Sequence, residues 1–457
     1  MDTRKIVIAS VLISLAFLSY HITGGILSNS ERKGLVVLIL AAGLWTTEVI
    51  PLVATSLAVP LLQPLLEIQG LKPALSPFFD PVVMLLLGGF LLAIAVEKHD
   101  LDEYLANLII SRVGTNARLV VLVFMFTTAF LSMWISNTAA TALMLTMALR
   151  LTDKIREERG NFAKIMVLSI AYSATAGGLA TLVGTTTSAM AAGFLRDLIG
   201  YEITFLGWMY YGLPITLIMT VVIWLVLFYV FPTEVKRIPE FELERAALDP
   251  RQRGTLIVFV LAIVLWLTGK LPEPLAMALG WTGHGMSSSL VAGIIAVLLL
   301  VSGLIRDRDI ANANWSTLLL IGAGMSLGSV MEVSGLMVRI SEGLLILTGR
   351  SSALVTIAIV TFLGLGISII ASNTASAGIF LPIAIGLSGT TSVSPVVLAV
   401  IVGISTSLDF MLPVGTPPNA IAYSTGRVSM GEMIKAGVLL DLTGALITIM
   451  LALFLWS

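Results

Sequence analysis

No cysteine occurs in the 457 residues, which excludes disulfides and thiolate metal sites. Charge is scarce too. Asp, Glu, Lys and Arg make up 12% of the chain, where a soluble domain carries about a quarter. The formal net charge of −1 says nothing about nucleic acid, but no basic patch with interleaved aromatics is present, and no nucleic-acid partner is expected. Histidine is limited to His21, His99 and His284, all near expected span ends, and no His-Glu-x-x-His run exists. There is no Walker lysine motif, and no aspartate pair sits on helices in the manner of an intramembrane aspartyl protease. The inventory points away from an enzyme and away from a primary ATP-driven pump.

What the chain has is apolar length. Hydrophobic residues make up 57%, with a mean hydropathy of +1.01. The runs 5–22, 35–66, 82–96, 207–231, 256–267 and 438–455 are of bilayer length or close to it. The N-terminal run resembles a signal peptide but lacks a small-residue cleavage site, so it reads as a first helix. The expectation is an all-α integral membrane protein with helices at 5–27, 34–49, 51–68, 80–98, 163–200, 207–231, 255–269, 288–305, 314–334, 394–425 and 433–456, about eleven spans. Two further segments, 117–151 and 351–388, read as re-entrant hairpins, each arm shorter than a full span. Segments 101–113 and 336–347 read as interfacial amphipathic helices. The polar stretch 232–254 is a cytoplasmic linker between an N-terminal half, 1–231, and a C-terminal half, 255–457. With the N-terminus cytoplasmic, 19 basic residues fall inside and 7 outside. The positive-inside rule favours that orientation, which leaves the C-terminus outside.

The hairpins carry one polar pattern twice. Ser132 precedes Ser136-Asn137-Thr138-Ala139, and Ser368 precedes Ser372-Asn373-Thr374-Ala375, 236 positions later. Two flanking blocks repeat in the same order: Leu85 to Gly89 with Leu319 to Ala323, and Val183 to Ala189 with Val414 to Ala420. Hydroxyls and amides in hydrocarbon are costly unless they are paired or face a ligand. Making the arrangement twice points to a two-fold site where two inverted repeats meet, the plan of a secondary transporter.

Asn137, Thr138, Ser372, Asn373 and Thr374 offer neutral donors. Facing hairpin tips add unpaired helix-terminal N–H groups, which favour an anion. Gly-Thr-Pro-Pro-Asn at 415–419 cannot continue a regular helix, and the freed carbonyls with nearby hydroxyl and amide oxygens make a hard-cation cage. Ser132, Ser136, Asn137 and Gly184 supply such oxygens in the first half. Ser368, Ala371, Asn373 and Gly415 supply them in the second, the alanine and glycine through their carbonyls.

Trp45-Thr46-Thr47-Glu48-Val49-Ile50-Pro51-Leu52, the paired Ser-Asn-Thr motifs and Met411-Leu412-Pro413-Val414-Gly415-Thr416-Pro417-Pro418-Asn419-Ala420-Ile421 together resemble the divalent anion/sodium symporter family. These are the dicarboxylate, citrate and sulfate carriers, including the INDY-type proteins. The resemblance implies eleven spans, two re-entrant hairpins, a homodimer in the cell membrane and an elevator motion. It implies substrate contacts at Asn137, Thr138, Ser372, Asn373, Thr374, Thr416 and Pro417, with Na+ held by the two oxygen sets named above. The function expected is secondary active transport of dicarboxylates of the succinate, malate or fumarate type by sodium symport. The alternatives are a sodium-independent exchanger, a sulfate or citrate carrier, or a channel. Two departures stand out. Thr185-Thr186-Thr187-Ser188 replaces the family's Thr-Pro-Pro-Asn in the first half, leaving open a looser first cage or an exchanger. Asp409 occupies a position where a small or neutral residue is expected, and reads either as an ion-handling group or as a water-exposed residue at the helix break. Glu48 reads as stabilising the end of the second helix.

Overall fold

The computed structural model describes residues 3–110, 114–155, 160–239, 247–348 and 352–456. Arg112, Arg156, Arg159, Arg245 and Arg350, all used in the charge count, lie outside the described residues. So do residue 351 of the second hairpin, residues 111–113 of the first amphipathic segment and 240–246 of the linker. Among the described residues the chain is all-helical, with a lone antiparallel bridge from Asn116 to Arg237 that ties the linker to the foot of the first hairpin.

The first half runs α1 (Thr3–Ile22), α2 (Asn29–Thr47), α3 (Leu52–Leu65), the short α4 (Leu71–Leu75), α5 (Pro81–Lys98), α6 (Leu101–Ile110), α7 (Ala117–Ser132), α8 (Asn137–Lys154), α9 (Asn161–Gly178), α10 (Thr186–Ile199) and α11 (Phe205–Val230). The second half runs α12 (Pro250–Thr268), α13 (Glu273–Leu279), α14 (Ser288–Val301), α15 (Asp307–Ile310), α16 (Trp315–Val333), α17 (Leu336–Thr348), α18 (Ala353–Ile370), α19 (Asn373–Gly386), α20 (Pro395–Ser405), α21 (Pro417–Ser424) and α22 (Met430–Phe454). Helix α1 is apolar all round and buries only Ala16, as a lipid-facing helix does. Glu48 ends α2 in left-handed backbone, its N–H donating to the Leu44 carbonyl at 3.1 Å.

Among the described residues, seven stretches are long and apolar enough to cross a membrane: Thr3–Gly25, Leu71–Lys98, Phe205–Val230, Pro250–Thr268, Trp315–Val333, Ala353–Ile370 and Met430–Phe454. Ala353–Ile370 is an arm of the second hairpin, so six of these are among the expected spans, and reaching eleven requires α2, α3, α14 and the pairs α9–α10 and α20–α21, which are shorter, more polar or interrupted. Two expectations are corrected. The segments 163–200 and 394–425 are not single helices, since each is broken in its middle. The hairpin arms are not all shorter than a span, since α8 and α18 each run 18 residues. The Ser-Asn-Thr tips lie near the segment midpoints as expected, between arms of 16 and 18 residues in the first hairpin and of 18 and 14 in the second.

The halves match element for element from α5 to α11 and from α16 to α22, and their packing is reciprocal. Helix α5 lies on α14, and α16 lies on α3; α10 packs on α19 and α20, while α21 packs on α8 and α9. Each half therefore completes the other's core, the behaviour of a pseudo-two-fold pair. The second hairpin packs on α16 as well as on α10, α17, α20 and α22. Where α16 meets α19, Gly324 and Gly378 let two backbones touch: a Cβ on Gly324 would lie 3.2 Å from Gly378 Cα and 2.7 Å from Met190 Cε. Small residues at such crossings permit close helix approach within a bilayer.

Candidate functional site

Each hairpin tip is built by capping chemistry. Helix α7 stops at Ser132, and α8 starts at Asn137 with Ser136 as its N-cap, the Ser136 hydroxyl accepting from Ala139 N–H at 3.1 Å. In the second half α18 stops at Ile370, Ala371 is extended, and the Ser372 hydroxyl accepts from Ala375 N–H at 3.3 Å. Serine caps stabilise a helix start by about 1 kcal/mol. The first residue of each Ser-Asn-Thr-Ala block thus starts a helix, and the Asn and Thr fall in its first turn. The N–H groups there have no partner within the helix and carry its positive end.

Behind each tip three oxygens converge. Ser132 Oγ lies 2.5 Å from Asn137 Oδ1 and 2.7 Å from the Ala174 carbonyl. Ser368 Oγ lies 2.7 Å from Asn373 Oδ1 and 2.6 Å from the Thr406 carbonyl. A serine hydroxyl has one proton to donate, so it serves one of its two oxygen neighbours and leaves the other facing it across two lone pairs. Turning the amide would relieve this, and so would a hard cation shared by the oxygens. The donor set therefore fits Na+ in both halves. Ser132 and Ser368 are fully buried.

The helix breaks facing the tips are near copies. Thr185 has φ −133°, ψ 147° and caps α10, accepting from Ser188 N–H at 3.3 Å. Thr416 has φ −135°, ψ 147° and caps α21, accepting from Asn419 N–H at 3.5 Å. Proline enforces the second break. The first needs none. Thr181 donates to the Met133 carbonyl at 2.6 Å and accepts from Gly184 N–H at 3.1 Å, and a Cβ on Gly184 would collide with the backbone of Gly178. Thr181, Gly184 and the Thr185 cap thus hold the first break in the geometry that proline enforces in the second.

These parts surround one cavity of about 340 Å³, within the range of small-molecule sites. All seven residues expected to contact substrate line it, Asn137, Thr138, Ser372, Asn373, Thr374, Thr416 and Pro417, together with Ser136, Gly184 and Gly415. Ser132 and Ser368 stand behind Asn137 and Asn373, and Ala371 is not part of the lining. No Lys, Arg, Asp or Glu is among the described residues of the lining. Two other clefts, of about 320 and 430 Å³, contain no residue of either triplet.

Sequence reasoning passed over several wall residues. Thr186 Oγ1 lies 2.6 Å from Thr374 Oγ1, joining the two halves across the cavity. Thr187 donates to the Gly403 carbonyl at 2.7 Å and lies 2.7 Å from Ser407 Oγ. Asn314 and Thr317 approach from the start of α16. The available signal was the unbroken run of four hydroxyls at 185–188 in otherwise apolar chain. Asp409 is fully buried, which overturns the water-exposed reading. Asp441, also overlooked, is buried on α22 and accepts from Phe410 N–H at 2.9 Å.

A family model described as the sodium:sulfate symporter transmembrane region matches residues 5–457. An uncharacterised transporter of Haemophilus influenzae is 34% identical over 430 residues, covering 93% of this chain and 92% of its own length. SdcS, a sodium-dependent dicarboxylate transporter of Staphylococcus saprophyticus, is 32% identical over 457 residues, covering 93% of this chain and 87% of its own. Among solved structures, the Alcanivorax borkumensis YdaH transporter superposes with a TM-score of 0.59 at 16% identity, over 84% of this chain and 87% of that one. Neisseria gonorrhoeae MtrF superposes with a TM-score of 0.55 at 14% identity, over 85% and 84%. At these identities the structural likeness concerns the fold alone.

Proposed function

Because this chain belongs to the sodium:sulfate symporter family, a family of membrane transporters and not of enzymes, we propose that it carries small dicarboxylates of the succinate, malate or fumarate type by sodium symport. The observation that carries this reading is the pair of capped tips facing one cavity, each backed by a converging oxygen set. In this reading Asn137, Thr138, Ser372, Asn373 and Thr374 offer side-chain and helix-terminal donors to the two carboxylates, and Thr416 and Pro417 close the wall. Na+ binds behind the tips at Ser132, Ser136, Asn137 and Gly184, and at Ser368, Ala371, Asn373 and Gly415. Each asparagine then serves anion and cation together, which couples their binding. Neutral donors without a fixed basic residue suit a carrier that has to release its anion. The sodium-dependent dicarboxylate relatives support the same choice.

A sodium-independent exchanger is the second reading, favoured by Thr186-Thr187-Ser188 in place of Pro-Pro-Asn. The matched capping angles at Thr185 and Thr416 favour symport over it. Sulfate or citrate as substrate, and a channel, are the remaining alternatives. Proteoliposomes loaded with unlabelled succinate should show saturable, trans-stimulated uptake of labelled succinate. Flux that rises linearly with concentration and ignores internal succinate would favour a channel.

The reading includes an elevator motion in a homodimer of the cell membrane, with the N-terminus cytoplasmic and the C-terminus outside. The hairpins and broken helices pack on one another and meet α16, so they form a natural moving unit, and the Gly324–Gly378 crossing would lie on its sliding surface. Gly324→Leu is expected to lower maximal uptake at least tenfold at normal expression, because a bulky side chain at a close-packed crossing forces the helices apart. Unchanged turnover in that variant would argue against sliding there. Cross-linking in lipid should trap a dimer; full transport by a monomer would contradict that part.

A further inference from the structure

The second helix break holds a set of oxygens that neither the cavity nor the oxygen set behind the tip uses. Asp409 is fully buried, and neither of its carboxylate oxygens has a hydrogen-bond partner. The carboxylate lies directly against Gly415, where any Cβ would displace it. Asn419 is fully buried in the same loop. Its Nδ2 donates to the carbonyls of Asp409 and Leu412 at 3.0 Å each, which leaves Oδ1 without a partner. Asp441 Oδ1 accepts from the N–H of Phe410 and so fixes the chain next to Asp409, while its Oδ2 is also unpartnered.

A buried ionised carboxylate without donor or counter-charge is one of the costliest groups a protein can hold. No ion pair among the described residues involves Asp409 or Asp441. The four orphaned atoms are all oxygens, and three of them belong to carboxylates, two on Asp409 and one on Asp441. Hard cations take such ligands from carboxylates, amides and carbonyls. The first half lacks this arrangement: six residues before Gly184 stands Gly178, whereas six residues before Gly415 stands Asp409.

We propose that the Asp409 carboxylate and Asn419 Oδ1 form a further sodium site behind Gly415, distinct from the neutral oxygen set of Ser368 and Asn373, with Asp441 as a positioning residue. The proposal deepens the sodium-symport reading and rests on it. Sodium binding here neutralises the buried carboxylate and draws together the loop that carries Gly415 and Thr416 to the cavity wall.

The test uses purified full-length protein without substrate, titrated with NaCl at constant ionic strength against choline chloride, with melting temperature as the readout. Wild type should be stabilised by sodium. Asp409→Asn, which keeps the shape and removes the charge, should lose at least half of the sodium-induced rise and need at least fivefold more sodium for half effect. Asp441→Asn should show a smaller shift. If wild type responds and Asp409→Asn gives the same titration, this site is refuted and the symport reading stands. If wild type shows no sodium response, both fall. Should Asp409→Asn not fold, wild-type crystals soaked in Tl+ decide the matter: an anomalous peak at the Asp409 carboxylate is expected, and its absence while peaks appear behind the tips would refute the site.

Discussion

Asn137→Ala and Asn373→Ala are each expected to abolish or nearly abolish succinate uptake in a folded protein. Each amide oxygen lies beside the serine behind its tip, at 2.5 Å in the first half and 2.7 Å in the second. Each asparagine also lines the cavity in the first turn of a capped helix. Removing the amide takes a ligand from the cation and a donor from the anion at once. A hydrogen bond to a charged group contributes roughly 1.5–3 kcal/mol, so losing one lowers affinity by about ten- to a hundredfold, and losing both roles compounds the deficit. The helices themselves should survive, because the capping is done by Ser136 and Ser372. Uptake within twofold of wild type in either variant, at normal expression, would sink the shared-site account.

Gly178→Ala should damage transport nearly as much, although glycine 178 carries no chemistry. A Cβ there would lie 2.5 Å from Asn137 Oδ1 and 2.8 Å from Thr185 Cγ2. It would push the amide off the first oxygen set while leaving the second triplet intact. Overpacking of this kind costs about 1–3 kcal/mol, and here the strain falls on the atoms that hold the ion. The expected result is at least a tenfold loss of uptake at low sodium, partly recovered at high sodium. Gly366→Ala is the control. That glycine lies on α18 with nothing within 4 Å of an added Cβ, and its variant should transport normally. Equal uptake by the two variants would mean that the first oxygen set does not bind the ion.

The parts of the site that depend on local chemistry were legible in the sequence. Serine before Asn-Thr is a helix-start signal wherever it occurs, and Pro417-Pro418 announces a break. The first break was harder to read, because it depends on Gly184 meeting Gly178 and on Thr181 reaching the Met133 carbonyl 48 residues away. The first is a backbone approach that no residue type announces, and the second exists only once the hairpin has packed on α9. Asp441 was invisible for a related reason. On an apolar helix an aspartate that faces a wet cavity and one that holds a neighbour's N–H look alike until Phe410 is in place. Pro60 and Pro64 show the opposite case, since both sit inside α3 without ending it. The helix count was the least legible feature, because broken helices and hairpin arms of 18 residues overlap in length with true spans.

Radiolabelled succinate uptake into proteoliposomes, with and without an inward sodium gradient, tests the central claim most directly. The account predicts uptake that rises steeply with external sodium over the millimolar range and collapses when choline replaces it. A flat sodium titration from protein that still exchanges internal for external succinate would contradict sodium symport and make this chain an exchanger.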